Sequence, residues 1–265
     1  MEPCGCAGLS WRVRTYGTAF PDWRDGSAYQ PLLAADRPLL AWEWLRRDPS
    51  YRAAAAQALS HGPDSNRSRP EPFGLVAFEP PVLGIPFARP LWRQQACPLV
   101  LDVEPGTGCG ELFDASRFAA LADVVSSDGG EHLLLSDGLR QIRLDGPPGS
   151  FSSGPCRLRY LIEGLGSAER PLLTLQRLLA LYRSGRFSRV LHRPEVRARR
   201  WIMLLRSYDA FMAGADQRSI AAVLLSESVA QSGWRVRESS VRLQVQRLVR
   251  SSRAIAAGGY RALLR

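Results

Sequence analysis

The spacing of apolar residues changes along this chain, and that change limits the folds open to it. Residues 73–165 carry short apolar runs separated by glycine and proline, a pattern typical of strands. From Pro171 onward, apolar residues recur every three or four positions, as the buried face of a helix requires. Residues 10–60 also read as helical and contain many aromatic anchors. We therefore expect an α+β fold with helical ends and a β-containing middle.

Proline, glycine and small polar residues mark the candidate boundaries. Asp48-Pro49 ends one predicted N-terminal helix and starts another, so two or three short helices are expected before residue 61. A polar stretch rich in helix breakers follows, which is typical of a linker. Four segments are predicted: a helical domain at 1–61, a linker at 62–72, a β-rich segment at 73–166 and a basic helical domain at 167–265.

The middle segment contains several candidate strands and one candidate helix. Apolar runs predict strands at residues 73–78, 98–103, 132–135 and 157–161. Asp137-Gly138 lies between two alternating runs and predicts a hairpin, because both residues tolerate the positive φ of a tight turn. Residues 113–125 are predicted to form an intervening helix.

Four helices are predicted in the C-terminal segment. The first starts near Pro171, buries Leu172, Leu175, Leu178, Leu179 and Tyr182, and ends at Gly185. The second starts near Pro194 and points Trp201, Leu204, Leu205, Tyr208 and Phe211 inward. The third, at residues 217–225, is short and has small residues, as the first helix of a helix-turn-helix requires. A long fourth helix is predicted to begin near Glu238.

Charge divides the chain more sharply than its total of +10 indicates. All 35 basic residues are arginine, which a coding bias alone can produce. Residues 1–150 hold 14 arginines against 18 acids, whereas residues 151–265 hold 21 against 7. A segment of net charge +14 attracts polyanions by counterion release, so nucleic acid becomes the leading candidate partner.

The long C-terminal helix has an apolar stripe and a polar stripe. Val241, Val245, Leu248 and Ser252 share the first. The second carries Arg242, Gln246 and Arg250, which we expect to read bases, because arginine pairs with guanine and glutamine with adenine. Further candidate DNA contacts, mostly to phosphate, are Arg218, Arg235, Arg237, Ser239, Ser240, Arg247 and Arg253. Arg235 and Arg237 are placed just before the helix.

Two observations leave the DNA-binding interpretation open at this point. An amphipathic helix needs a polar face in any case, and arginine is the usual polar residue of this chain. The connection at residues 226–237 is also longer than the turn of a compact helix-turn-helix.

The C-terminal part resembles the DNA-binding domain of RovC-like transcription factors, a family tied to the control of type VI secretion genes. The matching residues are Asp216-Gln217-Arg218-Ser219-Ile220-Ala221, Gly233-Trp234, the helix from Val241 to Val249, and Gly258-Gly259-Tyr260-Arg261-Ala262-Leu263-Leu264. The stretch Ala41-Trp42-Glu43-Trp44-Leu45-Arg46-Arg47-Asp48-Pro49, with Tyr51-Arg52, is similar to a small transcriptional-regulator-like domain that often precedes it, including in activators of integrative and conjugative elements.

This resemblance implies a transcriptional regulator that activates secretion or conjugative-element genes. It implies binding to double-stranded promoter or operator DNA and assembly into homo-oligomers, with RNA polymerase or an antiactivator as a further partner. The alternatives are an antiactivator or protein-interaction module that binds another regulator, and an RNA-binding factor. For RNA, exposed aromatic residues among the C-terminal arginines would be expected, whereas Trp201, Trp234 and Tyr260 look committed to packing.

Other classes of protein find little support in the residues. No run of about 18 apolar residues and no secretory leader is present, so a cytoplasmic protein without a membrane span is expected. The five cysteines and three histidines lack the spacing of a metal site, and we expect no metal and no cofactor. His132 has no Ser, Cys or carboxylate at a recognisable motif spacing and is interpreted as a satisfied histidine. No enzymatic activity is expected, because no catalytic motif is found.

Overall fold

The chain combines helical ends with a central sheet, which confirms the α+β class. The computed structural model describes residues 20–61, 69–225 and 234–265, with the backbone alone at residues 61 and 234–239. Most of the predicted linker and the connection at 226–233 therefore lie outside the described residues. No helix in the described part is long and apolar enough to cross a membrane. The four predicted segment boundaries stay a prediction.

Two α-helices follow a 3-10 helix at Ser27–Leu33. They are α1 (Arg37–Leu45) and α2 (Pro49–His61). Asp36 caps α1, since its Oδ1 accepts a hydrogen bond of 3.2 Å from the backbone N–H of Leu39. Proline starts α2, so the predicted break between two short helices is confirmed.

Five strands form one mixed sheet in the order β2-β3-β4-β1-β5. Their bounds are Leu101–Pro105 for β1, Ala122–Ser127 for β2, Gly130–Ser136 for β3, Gln141–Gly146 for β4 and Leu158–Leu161 for β5. The pair β1–β4 is parallel and the other three pairs are antiparallel. Strands predicted at 132–135 and 157–161 are confirmed, and the run at 98–103 overlaps β1.

The predicted hairpin at Asp137-Gly138 is confirmed. Ser136 pairs with Gln141, so residues 137–140 form the loop between β3 and β4. The Asp137 carboxylate accepts hydrogen bonds from the backbone N–H groups of residues 139 and 140, at 2.9 and 2.8 Å. Gly138 adopts φ of +91°, a conformation that favours glycine.

Replacing Gly138 with alanine is expected to destabilise the protein more than the same change at Gly108. Both glycines have positive φ, +91° and +104°, so both substitutions incur about 1–2 kcal/mol of backbone strain. A Cβ at residue 138 would also lie 2.3 Å from the carbonyl oxygen of Pro86, whereas a Cβ at residue 108 would meet nothing within 4 Å. Urea denaturation should show an additional loss of about 1–3 kcal/mol for Gly138→Ala. Equal losses in the two variants would contradict this packing.

The helix predicted at residues 113–125 is wrong. The chain forms a short 3-10 helix at Ala115–Phe118 and then enters strand β2. The two residues after β2, Asp128 and Gly129, make a tight turn into β3, and all six residues of β2 pair with β3. The hairpin therefore overrides the local helical pattern, and Val124-Val125 suits a strand in any case.

The strand predicted at residues 73–78 is also wrong. A 3-10 helix at Glu71–Phe73 precedes a single bridge between Leu75 and Trp92. Phe73 and Phe78 instead pack on the ring of Tyr51, with centroids 5.1 and 5.9 Å away. Phe73 and Phe78 therefore pack on an aromatic residue of α2 and do not form a β-ladder.

The C-terminal segment contains α3 (Glu169–Ser184), α4 (Ala198–Met212), α5 (Gln217–Leu224) and α6 (Trp234–Ala256). Gly185 ends α3 with φ of +68°, as predicted. Helix α4 begins later than predicted, because Glu195 to Ala198 form a turn in which the backbone N–H of Ala198 donates to the carbonyl of Glu195. Helix α6 begins four residues earlier than predicted.

Some side chains that were predicted to point inward are exposed. Leu172 and Leu179 are 44% and 43% exposed, and Phe211 is 40% exposed. Helix α3 contacts β1 and β4 through a narrower stripe, in which Leu178 and Leu181 are buried. A helix that packs on a single sheet face buries only a narrow stripe of side chains, so the apolar residues at the edges of the predicted face remain exposed.

Buried apolar residues form two clusters. The smaller one lies between the sheet and α3 and includes Leu133, Leu144 and Leu181. The larger one joins both ends of the chain, because it contains Trp42 and Trp44 from α1 together with residues of α4 and α6. The N-terminal aromatic residues are therefore core residues that pack directly on the C-terminal helices.

Candidate nucleic-acid interface

Helix α5 packs against α6 and is short and well capped. Asp216 precedes it, and its Oδ1 accepts a 2.7 Å hydrogen bond from the backbone N–H of Ser219. Ile220 and Ala221 are buried, and the small alanine allows α6 to approach closely. This pair of helices matches the short element followed by a long helix that the sequence predicted.

The two predicted stripes of α6 separate as expected. Val241, Val245, Leu248 and Ser252 are buried, and the Ser252 hydroxyl donates to the carbonyl of Val249 at 2.9 Å. On the other side Arg242, Arg247, Arg250 and Arg253 are exposed and Gln246 is half-buried. From residue 242 to residue 253 the stripe extends about 16 Å along the helix axis.

The arginines of this surface keep their charge available. Within the described part of the chain, Arg242, Arg247 and Arg250 form no ion pair with a carboxylate. Each guanidinium presents five N–H donors in a planar fork that suits phosphate oxygens and the guanine edge. The exposed face of α6 is thus a chemically suitable surface for a polyanion.

A groove of about 1110 Å³ lies beside the arginine stripe. Its walls come from the end of α4, the start of α5 and the C-terminal half of α6, including Gln246, Arg250 and Arg253. The Arg253 guanidinium lies 5.1 Å from the ring centroid of Phe211, a cation–π contact that orients it. The exposure of Phe211, which the sequence did not predict, therefore has a role in positioning Arg253.

The remaining predicted contacts are only partly described. Arg218 and Ser240 are exposed. Arg235 and Arg237 lie within the first turn of α6, so their predicted position before the helix is wrong. The side chains of these two arginines and of Ser239 lie outside the described residues. A glycine turn follows α6, since Gly258 has φ of +118° and Tyr260, Leu263 and Leu264 are buried.

A buried ion-pair network joins α1 to α4, and sequence reasoning missed it. Arg47, which is 2% exposed, donates from Nε and Nη2 to the two carboxylate oxygens of Asp209, at 2.7 and 2.9 Å. Its Nη1 donates to Glu43 at 2.7 Å. The Tyr29 hydroxyl also donates to Asp209, at 2.7 Å. The Arg46-Arg47 pair in the N-terminal motif was the available signal, because two adjacent arginines directly after an apolar helix need partners if they are buried with it.

The titration of this network follows from burial and charge. Burial alone would raise the pKa of Glu43, but the guanidinium groups of Arg46 and Arg47 lower it to about 2. Burial would lower the pKa of Arg47, but Asp209 and Glu43 raise it above its ordinary value. Glu43 and Arg47 are therefore both charged at neutral pH.

A second polar cluster crosslinks three strands of the sheet. The Nε2 of His132 lies 2.9 Å from the Ser127 hydroxyl. The Nδ1 of His132 lies 2.9 Å from the Asp145 carboxylate. Arg143 donates two hydrogen bonds to Asp145, at 2.7 and 2.6 Å. Burial would raise the pKa of Asp145, but hydrogen bonding to His132 and the charge of Arg143 lower it. Since the guanidinium already compensates the carboxylate, we assign the cluster to strand pairing, in agreement with a satisfied histidine.

Two family models match the chain. Residues 164–265 match a model described as "T6SS, Transcription factor, DNA binding domain", of the RovC type. Residues 22–73 match a model described as "Proteobacterial transcriptional regulator-like domain". No curated protein and no solved structure matches the chain.

The matched segments contain the features described above. The first includes α3 to α6 with the exposed arginine stripe, and the second includes α1 and α2. The buried ion-pair network joins the two segments, through Glu43 and Arg47 in the second and Asp209 in the first. The protein is a DNA-binding transcriptional regulator. More narrowly, it carries a RovC-type DNA-binding domain behind a proteobacterial regulator-like domain, so both resemblances are confirmed. These families are transcription regulators, a class that is generally not enzymatic.

Proposed function

We propose that this regulator activates secretion or conjugative-element genes by inserting α6 into the major groove of promoter or operator DNA. Arg242, Gln246 and Arg250 read bases, while Arg247 and Arg253 contact phosphates. The protein acts in the cytoplasm as a homo-oligomer, and RNA polymerase or an antiactivator is its protein partner. The observation that carries the DNA-binding part is the row of exposed arginines opposite the buried stripe of α6.

The groove geometry of DNA supports this orientation. A helix that enters the major groove needs one face packed on its own domain and the opposite face clear. Val245 and Leu248 anchor α6 to the core, and the arginine face extends for about three turns. Arg218 on α5 is also exposed. In helix-turn-helix proteins the helix in this position crosses the sugar-phosphate backbone of the DNA.

Replacing Arg242 with alanine is expected to weaken operator binding by about 10-fold to 100-fold and to relax the preference at one base pair. The physical reason is the loss of a bidentate pair to a base, which contributes about 1–3 kcal/mol. Arg247→Ala should instead weaken binding to every sequence alike and flatten the dependence on salt by about one unit. Gel-shift titrations with the DNA upstream of its own gene, at several salt concentrations, measure both effects.

The matched control is Arg186→Ala, which removes the same charge from the same C-terminal segment at an exposed position outside α6. It should leave base preference unchanged. If Arg242→Ala behaves like this control, α6 is not the recognition helix. If the protein is an antiactivator, it should give no sequence-specific shift of the DNA. If it is an RNA-binding factor, single-stranded RNA should displace the labelled DNA more effectively than unlabelled duplex DNA does.

A further inference from the structure

An open cavity lies between strand β5, the loop that follows β1, and helix α3. Its volume is about 460 Å³, within the range of about 300–1,000 Å³ typical of small-molecule sites. The loop and β5 lie outside both matched segments, whereas α3 belongs to the DNA-binding segment. The cavity is therefore at the junction between the sheet and the DNA-binding helices, away from the arginine stripe of α6.

The walls of the cavity present apolar side chains to solvent. Leu112 is 48% exposed, Leu179 is 43% exposed and Tyr160 is 38% exposed. Leu175 and the buried Leu178 lie behind them. Exposing this much apolar surface on three elements costs free energy, which a ligand with an apolar body would recover.

One side of the cavity offers a cation with unused donors. The Nε of Arg157 donates to the carbonyl of Gly110 at 3.3 Å, which holds the guanidinium at the cavity wall. Its two terminal nitrogens make no hydrogen bond and no ion pair with any described residue. The one carboxylate at the cavity, that of Glu111, is already engaged by the Tyr182 hydroxyl. Arg157 is thus available to bind an anion.

We propose that this cavity binds a small amphipathic carboxylate, with the acid group on Arg157 and an acyl or aromatic body against Tyr160, Leu175 and Leu179. A guanidinium pairs with a carboxylate through two parallel hydrogen bonds, which fixes the orientation of the ligand. The apolar walls provide the contact area. This site is separate from α6, and the proposal does not rest on the DNA-binding role of that helix.

The test uses the full chain with 8-anilinonaphthalene-1-sulfonate as a fluorescent probe, and decanoate and decanol as competitors. We expect saturable binding of one probe per chain and displacement by decanoate at lower concentration than by decanol. Arg157→Gln should weaken the binding of decanoate by about tenfold or more, because a charge-assisted hydrogen bond is lost. The binding of decanol should be unchanged. Leu179→Asn should weaken the binding of both decanoate and decanol.

Helix α3 supplies matched controls. Leu172→Asn changes a leucine of equal exposure, 44% against 43%, two turns away and outside the cavity lining. Arg183→Gln removes an exposed arginine from the same helix. Both should bind probe and decanoate like the unchanged protein, and circular dichroism melting checks that every variant is folded.

Three results would overturn the proposal. The first is equal weakening by the control variants, which would mean that the probe binds exposed apolar surface in general. The second is displacement by decanol as readily as by decanoate, which would remove the role of Arg157. The third is loss of probe binding as protein concentration rises, together with a larger mass in sedimentation, which would assign the cavity and the edge strand β5 to a second copy of the chain.

Discussion

Arg47→Ala is expected to lower the free energy of unfolding by about 3–5 kcal/mol, because it leaves the carboxylates of Asp209 and Glu43 buried with too few cations. That loss is a large part of the roughly 5–15 kcal/mol that holds a typical domain folded. Chemical denaturation monitored by tryptophan fluorescence gives the number. Trp42 and Trp44 lie on α1 beside Glu43, so their fluorescence reports on this region directly.

The matched control is Arg24→Ala, which breaks an exposed pair with Asp22. Exposed pairs contribute about 0–1 kcal/mol, so this variant should resemble the unchanged protein. The pH dependence gives a second check. Glu43 has a depressed pKa of about 2, so its contribution is complete above its unfolded pKa of about 4.5 and is lost as pH falls toward 2. The difference between Arg47→Ala and the unchanged protein should therefore shrink below pH 4.5, and a constant difference would contradict the assigned network.

A chain cut to residues 164–265 is expected to lose most of its stability and most of its operator binding. In the full chain, the ring of Tyr208 lies 6.0 Å from that of Trp44, and Arg206 donates to the carbonyl of Trp23 at 2.9 Å. Cutting exposes buried side chains of α4 and of the turn after α6, each contributing about 1.5–3 kcal/mol, so the total loss exceeds about 5 kcal/mol. Thermal melting followed by circular dichroism and gel-shift titration measure the two consequences.

The cut chain would contradict this prediction if it melted cooperatively within a few degrees of the full chain. Full operator affinity in the cut chain would do the same. Either result would mean that the DNA-binding segment folds without the regulator-like helices, and that the shared apolar cluster contributes little to its stability.

Local patterns predicted the C-terminal helices and the separation of buried from exposed residues on α6 well. Val245 and Leu248 recur at helical spacing, and this spacing does not depend on distant partners. Long-range pairing decided the failures. Residues 122–127 became a strand because β3 lay beside them, and Phe73 and Phe78 left the strand pattern because Tyr51 offered a packing surface. Neither partner is adjacent in sequence.

The candidate site was predictable in part for the same reason. Arg242, Gln246 and Arg250 share a face of one helix, so their spacing alone places them together. The orientation of Arg253 by Phe211 depends on a contact between α4 and α6, and the pairing of Arg47 with Asp209 spans 162 residues. Periodicity contains no information about such contacts, and the adjacent arginines after α1, which were the one available signal, were not interpreted.

The packing of residues 260–264 has a consequence for synthesis of the protein. Helix α1 contacts the 3-10 helix at Gly259–Leu263, and Arg37 donates to the carbonyl of residue 262, which is translated 225 residues later. The core around Trp42 and Trp44 is therefore completed only by residues that are translated much later than α1 itself. Until residues 259–263 have been made, the aromatic N-terminal helices lack part of the surface on which they pack, and exposed apolar surface of this kind favours aggregation during folding.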